Sequence, residues 1–160
     1  YVGTFSKILF PSLRIGYVVL PPKLVDRFAA LKHVCEDHGP LIDQATLAAF
    51  MESGAFYTHL RRCRRAYAER RQCFLESVYH AGLPLEFPNT DGGMNLAALI
   101  RSSLDDYRLS EEFRSSGLDI PPLSRYSIRH AHPGFLLGFT AFEPRAIARA
   151  VERMAAVMEA

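Results

Sequence analysis

The sequence predicts an α/β protein, and three observations carry that expectation. Short runs rich in β-branched and aromatic residues alternate with longer segments of helical period. Gly or Pro stands at nearly every change between the two. The texture then shifts at Gly82, after which shorter elements are separated by loops holding Pro84, Pro88, Asn89 and Asp91-Gly92-Gly93. The first part fits the end of an α/β layer, and the remainder fits a smaller α+β domain.

Tyr1–Thr4 is a short apolar strand that leads into the turn Phe5-Ser6-Lys7. A second strand opens with Arg14. It continues through Ile15–Leu20, an apolar run of the kind buried on both faces, until Pro21-Pro22 ends it. Pro22 suits the first turn of a helix, with Leu24, Val25, Phe28, Ala29 and Leu31 on one apolar face. Gly39-Pro40 stops that pattern. A second helix from about Leu41 to Glu52 places Ile42, Ala45, Leu47, Ala48 and Phe50 inside, before Gly54.

Phe56 to about Ala81 reads as one long helix with an apolar stripe of Leu60, Cys63, Tyr67, Phe74, Leu75 and Val78. Arg61, Arg62, Arg64, Arg65, Arg70 and Arg71 occupy the rest, interspersed with Glu69 and Glu76. Such a basic cluster invites a nucleic-acid reading. A solvated face is the stronger one, because long arginines cover apolar helix surface while their heads stay wet.

After Gly82 a strand runs over Met94–Ile100. Asp105 or Asp106 caps a short helix that ends near Gly117. Leu118-Asp119-Ile120 is a short strand stopped by Pro121-Pro122, and Phe135–Ala141 is another. Pro144–Met158 is an amphipathic closing helix with Ile147, Val151, Met154 and Val157 inward.

Composition excludes several classes. An apolar share of 49% and a charged share of 22% are those of an ordinary globular protein. The net charge of +2 offers no support for a nucleic-acid-binding surface over the whole chain. Cys35, Cys63 and Cys73 are an odd number without metal-site spacing, which fits reduced thiols in a cytoplasmic protein. No apolar run approaches membrane-spanning length. His33, Cys35 and His38 lie close together but match no structural zinc pattern, so no metal site is expected. No Gly-rich dinucleotide loop and no nucleophilic Ser/His/Asp motif is present.

Chemistry concentrates at the start, in Gly3-Thr4-Phe5-Ser6-Lys7 and Arg14-Ile15-Gly16-Tyr17. Short hydroxyl-rich turns with a lysine are common, and one reading is a solvated turn lysine. The other is a seat for a phosphorylated aldehyde. The lysine amine can form a Schiff base with a carbonyl once unprotonated. The Arg14 fork can make two charge-assisted bonds to a phosphate, and the Thr4 and Ser6 hydroxyls can donate to the same group. A salt bridge capping the strand is the other reading of Arg14.

Residues 3–17 closely resemble the lysine segment of fold-type I pyridoxal-phosphate proteins, the class I/II aminotransferases. The spacer Leu9-Phe10-Pro11-Ser12-Leu13-Arg14, with the arginine seven residues after Lys7, looks most like the MocR-type subfamily of GntR transcriptional regulators. Those proteins join a winged helix-turn-helix to an aminotransferase-like domain. The resemblance continues through Gly54-Ala55-Phe56, His59-Leu60-Arg61-Arg62 and Arg70-Arg71 to Gly134-Phe135-Leu136-Leu137-Gly138-Phe139.

The resemblance implies a fold-type I α/β architecture, of which this chain is the C-terminal part of a longer protein. Residues 1–53 would end the large cofactor-binding domain, and 54–160 would form the linking helix and small domain. It implies Lys7 as the internal aldimine of pyridoxal 5'-phosphate, Ser6 and Arg14 as the phosphate cup, and Thr4 as a further phosphate ligand. A small amine or amino acid as effector or substrate, DNA bound only through a domain outside this chain, a homodimer and no membrane are also implied. One departure stands out. Aminotransferases clamp the substrate carboxylate with an arginine in an Arg-Leu-Ser-Phe-like strand, and here Leu136 occupies that place. A leucine cannot anchor a carboxylate, which favours a regulator over a transaminase. Arg125 and Arg129, in the preceding loop with His130 and His132, are the candidate substitutes, and a surface arginine is the commoner reading of each.

Overall fold

A computed structural model describes residues 1–101, 104–128 and 132–159. The chain divides into two compact units, Tyr1–Arg62 and Cys63–Ala160.

The first unit begins with β1 (Val2–Thr4) and β2 (Gly16–Val18), paired antiparallel with Val2 opposite Val18, Gly3 opposite Tyr17 and Thr4 opposite Gly16. Two glycines let the strands close. A Cβ on Gly3 would lie 2.4 Å from the Tyr17 ring, and one on Gly16 would lie 2.8 Å from the Gly3 carbonyl. Helix α1 (Pro22–Glu36) starts on its proline as expected, and α2 (Leu41–Glu52) matches its expected span. The first two turns of α3 (Ala55–His80) complete the unit.

Three expectations fail here. Arg14 does not open a strand: it ends a 3-10 turn (Pro11–Leu13), and the strand starts two residues later. The Ile15–Leu20 run is not buried on both faces, since every residue of β2 is exposed. The inward face of α2 reduces to Leu47, and Ile42 is 83% exposed. The cause is common to all three. Within these residues the two-stranded hairpin and its helices have no second layer, so most of their apolar surface is left uncovered by this chain.

The second unit has what the first lacks. β3 (Leu85–Glu86), β4 (Asn95–Ile100) and β5 (Gly134–Gly138) form an antiparallel sheet in that order. One face carries Leu96, Ala98, Ile100, Phe135 and Leu137, all buried. It packs with Phe74 and Val78 of α3, Leu109 and Phe113 of α4 (Asp106–Ser115), and Ile147, Val151 and Met154 of α5 (Pro144–Met158). The rings of Phe113 and Phe135 meet edge-on at 5.1 Å, a geometry favoured by the ring quadrupoles. The Ile147, Val151, Met154 spacing is the period of one helix face, so α5 is the element that sequence pattern describes best.

Capping settles the start of α4. Asp105 lies outside the helix and accepts hydrogen bonds from the Tyr107 and Arg108 N–H groups, making it the N-cap. Asp106 has another job. Buried at 2% exposure, its carboxylate accepts from Ser124 N–H and Gly134 N–H, both at 2.9 Å, and so fastens a second 3-10 turn (Leu123–Tyr126) and the start of β5 to α4.

The expected strand at Leu118–Ile120 does not form. Only a single bridge links Pro122 to Phe135, because Pro121 and Pro122 lack the N–H groups that a ladder needs. β5 is shorter than expected and ends at Gly138. Nor are all the α3 arginines wet heads. Arg70 donates to the Thr140 carbonyl at 2.6 Å and pairs with Glu143 at 2.5 Å, tying α3 to the β5–α5 turn, and Arg71 donates to the Thr90 carbonyl.

Candidate functional site

The segment singled out by sequence folds as the open end of the β1–β2 hairpin. Phe5 N–H donates to the Ile15 carbonyl at 3.0 Å, extending the pairing one step past Thr4. The chain then turns sharply. The Phe5 carbonyl accepts from Ile8 N–H at 3.1 Å and from Leu9 N–H at 2.9 Å, with Lys7 inside the turn. Thr4 shapes its entry, since its Oγ1 accepts from Ser6 N–H at 3.2 Å. This is the local bonding through which a hydroxyl favours a turn over a continued strand.

Arg14 stands on the return path. Continuing the Thr4–Gly16 and Phe5–Ile15 register by one more step sets position 14 opposite position 6. Arg14 has φ 50° and ψ 29°, the left-handed region that side chains avoid at a cost of about 1–2 kcal/mol. Backbone strain of this kind clusters at functional sites. Among the described residues neither the Lys7 amine nor the Arg14 guanidinium has an ion-pair or hydrogen-bond partner, and both side chains are exposed. The sequence alternative of a salt bridge at Arg14 therefore finds no partner carboxylate here.

Two residues that the motif did not include hold this turn in place. His59, on the first turns of α3, donates a ring N–H to the Ile8 carbonyl at 3.0 Å, directly beside Lys7. Phe5 packs edge-on against Phe56 with centroids 6.1 Å apart, and Phe56 meets Phe50 in the same way. These rings link the hairpin to α2 and α3 within the first unit. A histidine 51 residues away in sequence carries no local signal, so reading the motif could not find it.

Tyr17 stacks on the other side. Its ring lies 5.4 Å from Phe5 and 5.9 Å from Tyr1. Hydrogen bonding to the Tyr1 phenol holds the Tyr17 hydroxyl above the ordinary tyrosine range, with a smaller push from desolvation. Thus Ser6 and Lys7 sit in the turn that follows Thr4 at the end of β1, and Arg14 ends the 3-10 turn on the return path to β2. Of the four, only Thr4 and Ser6 share a hydrogen bond.

No family model matches the chain. Solved structures do: the multiple substrate aminotransferase MsAT of Thermococcus profundus superposes with a TM-score of 0.88 at 26% identity, over 99% of this chain and 40% of that one. The chain has the fold of the fold-type I aminotransferases. Within it, similarity runs to regulators. It is 38% identical over 157 residues to the probable rhizopine catabolism regulatory protein MocR of Rhizobium meliloti, covering 96% of this chain and 32% of MocR. It is 30% identical to the HTH-type transcriptional regulator TauR of Rhodobacter capsulatus, again over 97% of this chain and 32% of that protein. The chain spans about a third of the length of these curated relatives and aligns with their C-terminal portion.

Leu136, where the resemblance expects the carboxylate arginine of aminotransferases, lies at the centre of β5, half-buried and paired with Ala97. Arg125 is exposed in the Leu123–Tyr126 turn, and His132 is exposed before β5. Arg129 and His130 lie outside the described residues. Among the described residues no helix is long and apolar enough to cross a membrane, and no group of three His, Cys, Asp or Glu residues is arranged to hold a metal.

Proposed function

We propose that this chain is the C-terminal part of the pyridoxal-phosphate-binding domain of a MocR/GntR-type transcriptional regulator, with Lys7 as the covalent anchor. The single observation behind that reading is the pair of exposed, unpartnered cations, Lys7 and Arg14, at the open end of a hairpin shaped by the Thr4 hydroxyl. The donor set fits the cofactor's two ends. A primary amine suits an aldehyde, and an arginine fork with two hydroxyls suits a phosphate. When bound, pyridoxal phosphate supplies an aldehyde that captures amines and a ring that withdraws electrons.

In this reading Lys7 Nζ attaches the cofactor, and Arg14, Ser6 and Thr4 hold its phosphate. His59 steadies the backbone beside the attachment point. Arg14 reaches the phosphate from the end of the 3-10 turn before β2, and its left-handed backbone is held because the hairpin over-determines the turn. Residues 1–53 belong to the large domain and 54–160 to the linking helix and small domain. The whole protein is cytoplasmic and dimeric. It senses a small amine or amino acid, and it reaches DNA through a domain outside this chain. Differential affinity of the effector for two domain arrangements is what would pass the signal on.

The second reading is a class I/II aminotransferase. Leu136 argues against it, because it offers no donor to a substrate carboxylate where that family uses arginine. Borohydride treatment of the intact protein with pyridoxal phosphate, followed by peptide mapping, tests the anchor. We expect the pyridoxyl mass on the Lys7 peptide, and none in Lys7→Ala. Arg14→Ala should weaken cofactor binding about tenfold or more, the usual loss for a charge-assisted bond. A label on Lys23 or Lys32 instead, or no label at all, rules Lys7 out. Sustained amino transfer to a 2-oxo acid would move the assignment to the enzyme.

A further inference from the structure

Within the second unit, the segment after α4 does not close against β5. Leu118 and Ile120 stop short of a ladder, and a cleft of about 420 Å³ opens between them, the end of β5 and α5. That volume lies in the range of small-molecule sites. Its walls are apolar, from Leu118 and Ile120 on one side to Phe139 on another. On the α5 side Ala146 and Ala150, one turn apart on one helix face, stand beside Ile147 and Met154, and their small side chains leave room that larger ones would fill.

Among the described residues two charged side chains line this cleft, and they are not equivalent. Asp119 is 88% exposed and already faces Arg114 at 3.8 Å. Arg153 follows Ala150 by three residues, on the same face of α5. Among the described residues it has no carboxylate partner, and its sole hydrogen bond is a long one, 3.4 Å, to the Ser116 carbonyl. The cleft thus presents an apolar interior beneath an uncompensated guanidinium.

From this geometry we propose that the cleft binds a small monocarboxylate with an aliphatic or aromatic body. The body enters between Leu118, Ile120 and the two alanines, and the carboxylate takes the Arg153 fork. Shape alone would admit any small apolar molecule. The unmatched positive charge selects the anion, because planar guanidinium and carboxylate make paired charge-assisted bonds. A cationic amine would meet Arg153 with repulsion. Neither Lys7 nor the cofactor enters this site, so it stands or falls apart from the function proposed above.

The test is a nuclear magnetic resonance titration of the full 160-residue chain with hexanoate and, separately, 1-hexanol. Hexanoate should shift the resonances of Leu118, Ile120, Ala146 and Ala150, and bind about tenfold more tightly than hexanol. Arg153→Gln, an exposed substitution that leaves the core untouched, should erase that preference while leaving hexanol unchanged. Ala150→Phe should fill the cleft and abolish both. The proposal is overturned if hexanoate and hexanol bind alike, if Arg153→Gln changes nothing, or if the shifts fall on the exposed apolar residues of α1 instead.

Discussion

The two units of this chain are built from similar proportions of apolar residues and use them in opposite ways. In Tyr1–Arg62 the buried hydrophobic side chains among the described residues are Leu47 and Phe56, while Leu24, Val25, Phe28, Leu31 and Val34 of α1 are all exposed. In the second unit sixteen buried residues form one cluster under a three-stranded sheet. Apolar period is therefore not the same as a core. A stripe of leucines and valines becomes a core only when a second layer exists to receive it, and here the sheet of β3, β4 and β5 provides that layer for α3, α4 and α5. The first unit invests instead in a turn, with bonds and ring contacts gathered around Lys7.

The sharpest way to break that contrast is a pair of matched truncations. Phe135→Ala, at a position with no exposure, should destabilise the chain by about 3–5 kcal/mol in chemical denaturation. Phe28→Ala, at 43% exposure, should change it by about 0.5 kcal/mol or less. Equal costs would mean that α1 has a hidden packing partner and that the contrast is wrong.

A smaller effect should follow at Asp106. Asp106→Ala leaves Ser124 N–H and Gly134 N–H without their acceptor in a buried place, a loss of about 2–3 kcal/mol. Hydrogen exchange should show those two amides opening first. Asp106→Asn should recover part of the stability, since its side-chain oxygen still accepts.

At the site, stability and function should part company. Arg14→Gly relieves a left-handed backbone and should stabilise the first unit by about 1 kcal/mol, read as a raised denaturation midpoint. The same change should weaken pyridoxal-phosphate binding to the intact protein. If the variant instead loses stability, the Arg14 side chain is structural.

The smallest effect is a titration. Tyr17 ionises above the ordinary tyrosine range because its hydroxyl is bonded to Tyr1. A group raised in the folded state contributes stability below its unfolded value and loses it as pH rises through the folded one. The hairpin should therefore loosen only in strongly alkaline solution. Tyr1→Phe should bring the tyrosinate absorbance of Tyr17 back toward the ordinary range, and an unchanged titration would show that the bond does not form in solution.

Much of the fold is legible in the sequence. Pro22 and Pro144 marked two helix starts, Gly39-Pro40 marked a stop, and the α5 pattern named its buried residues Ile147, Val151 and Met154. The motif around Lys7 was legible because its parts lie within fifteen residues and their chemistry is local. Legibility failed where a partner decided the outcome. Ile15–Leu20 looked like a buried strand because β-branched runs usually are, and nothing in the run says whether a second layer lies above it. The Leu118–Ile120 segment looked like a strand for the same reason, and the two prolines beside it leave a single bridge where a ladder was expected.

By itself, the sequence determined the periods, the stops and the Lys7 turn, all of which depend on residues within one or two turns of each other. It also carried the likeness to the family. Tertiary structure alone decided which of two adjacent aspartates caps α4 and which is buried as a clamp. It alone brought His59 to the Ile8 carbonyl and set Arg70 against the β5–α5 turn. The physical reason is distance along the chain. Local preferences are written into neighbouring residues, whereas a bond spanning tens of residues exists only once packing has brought its two ends together.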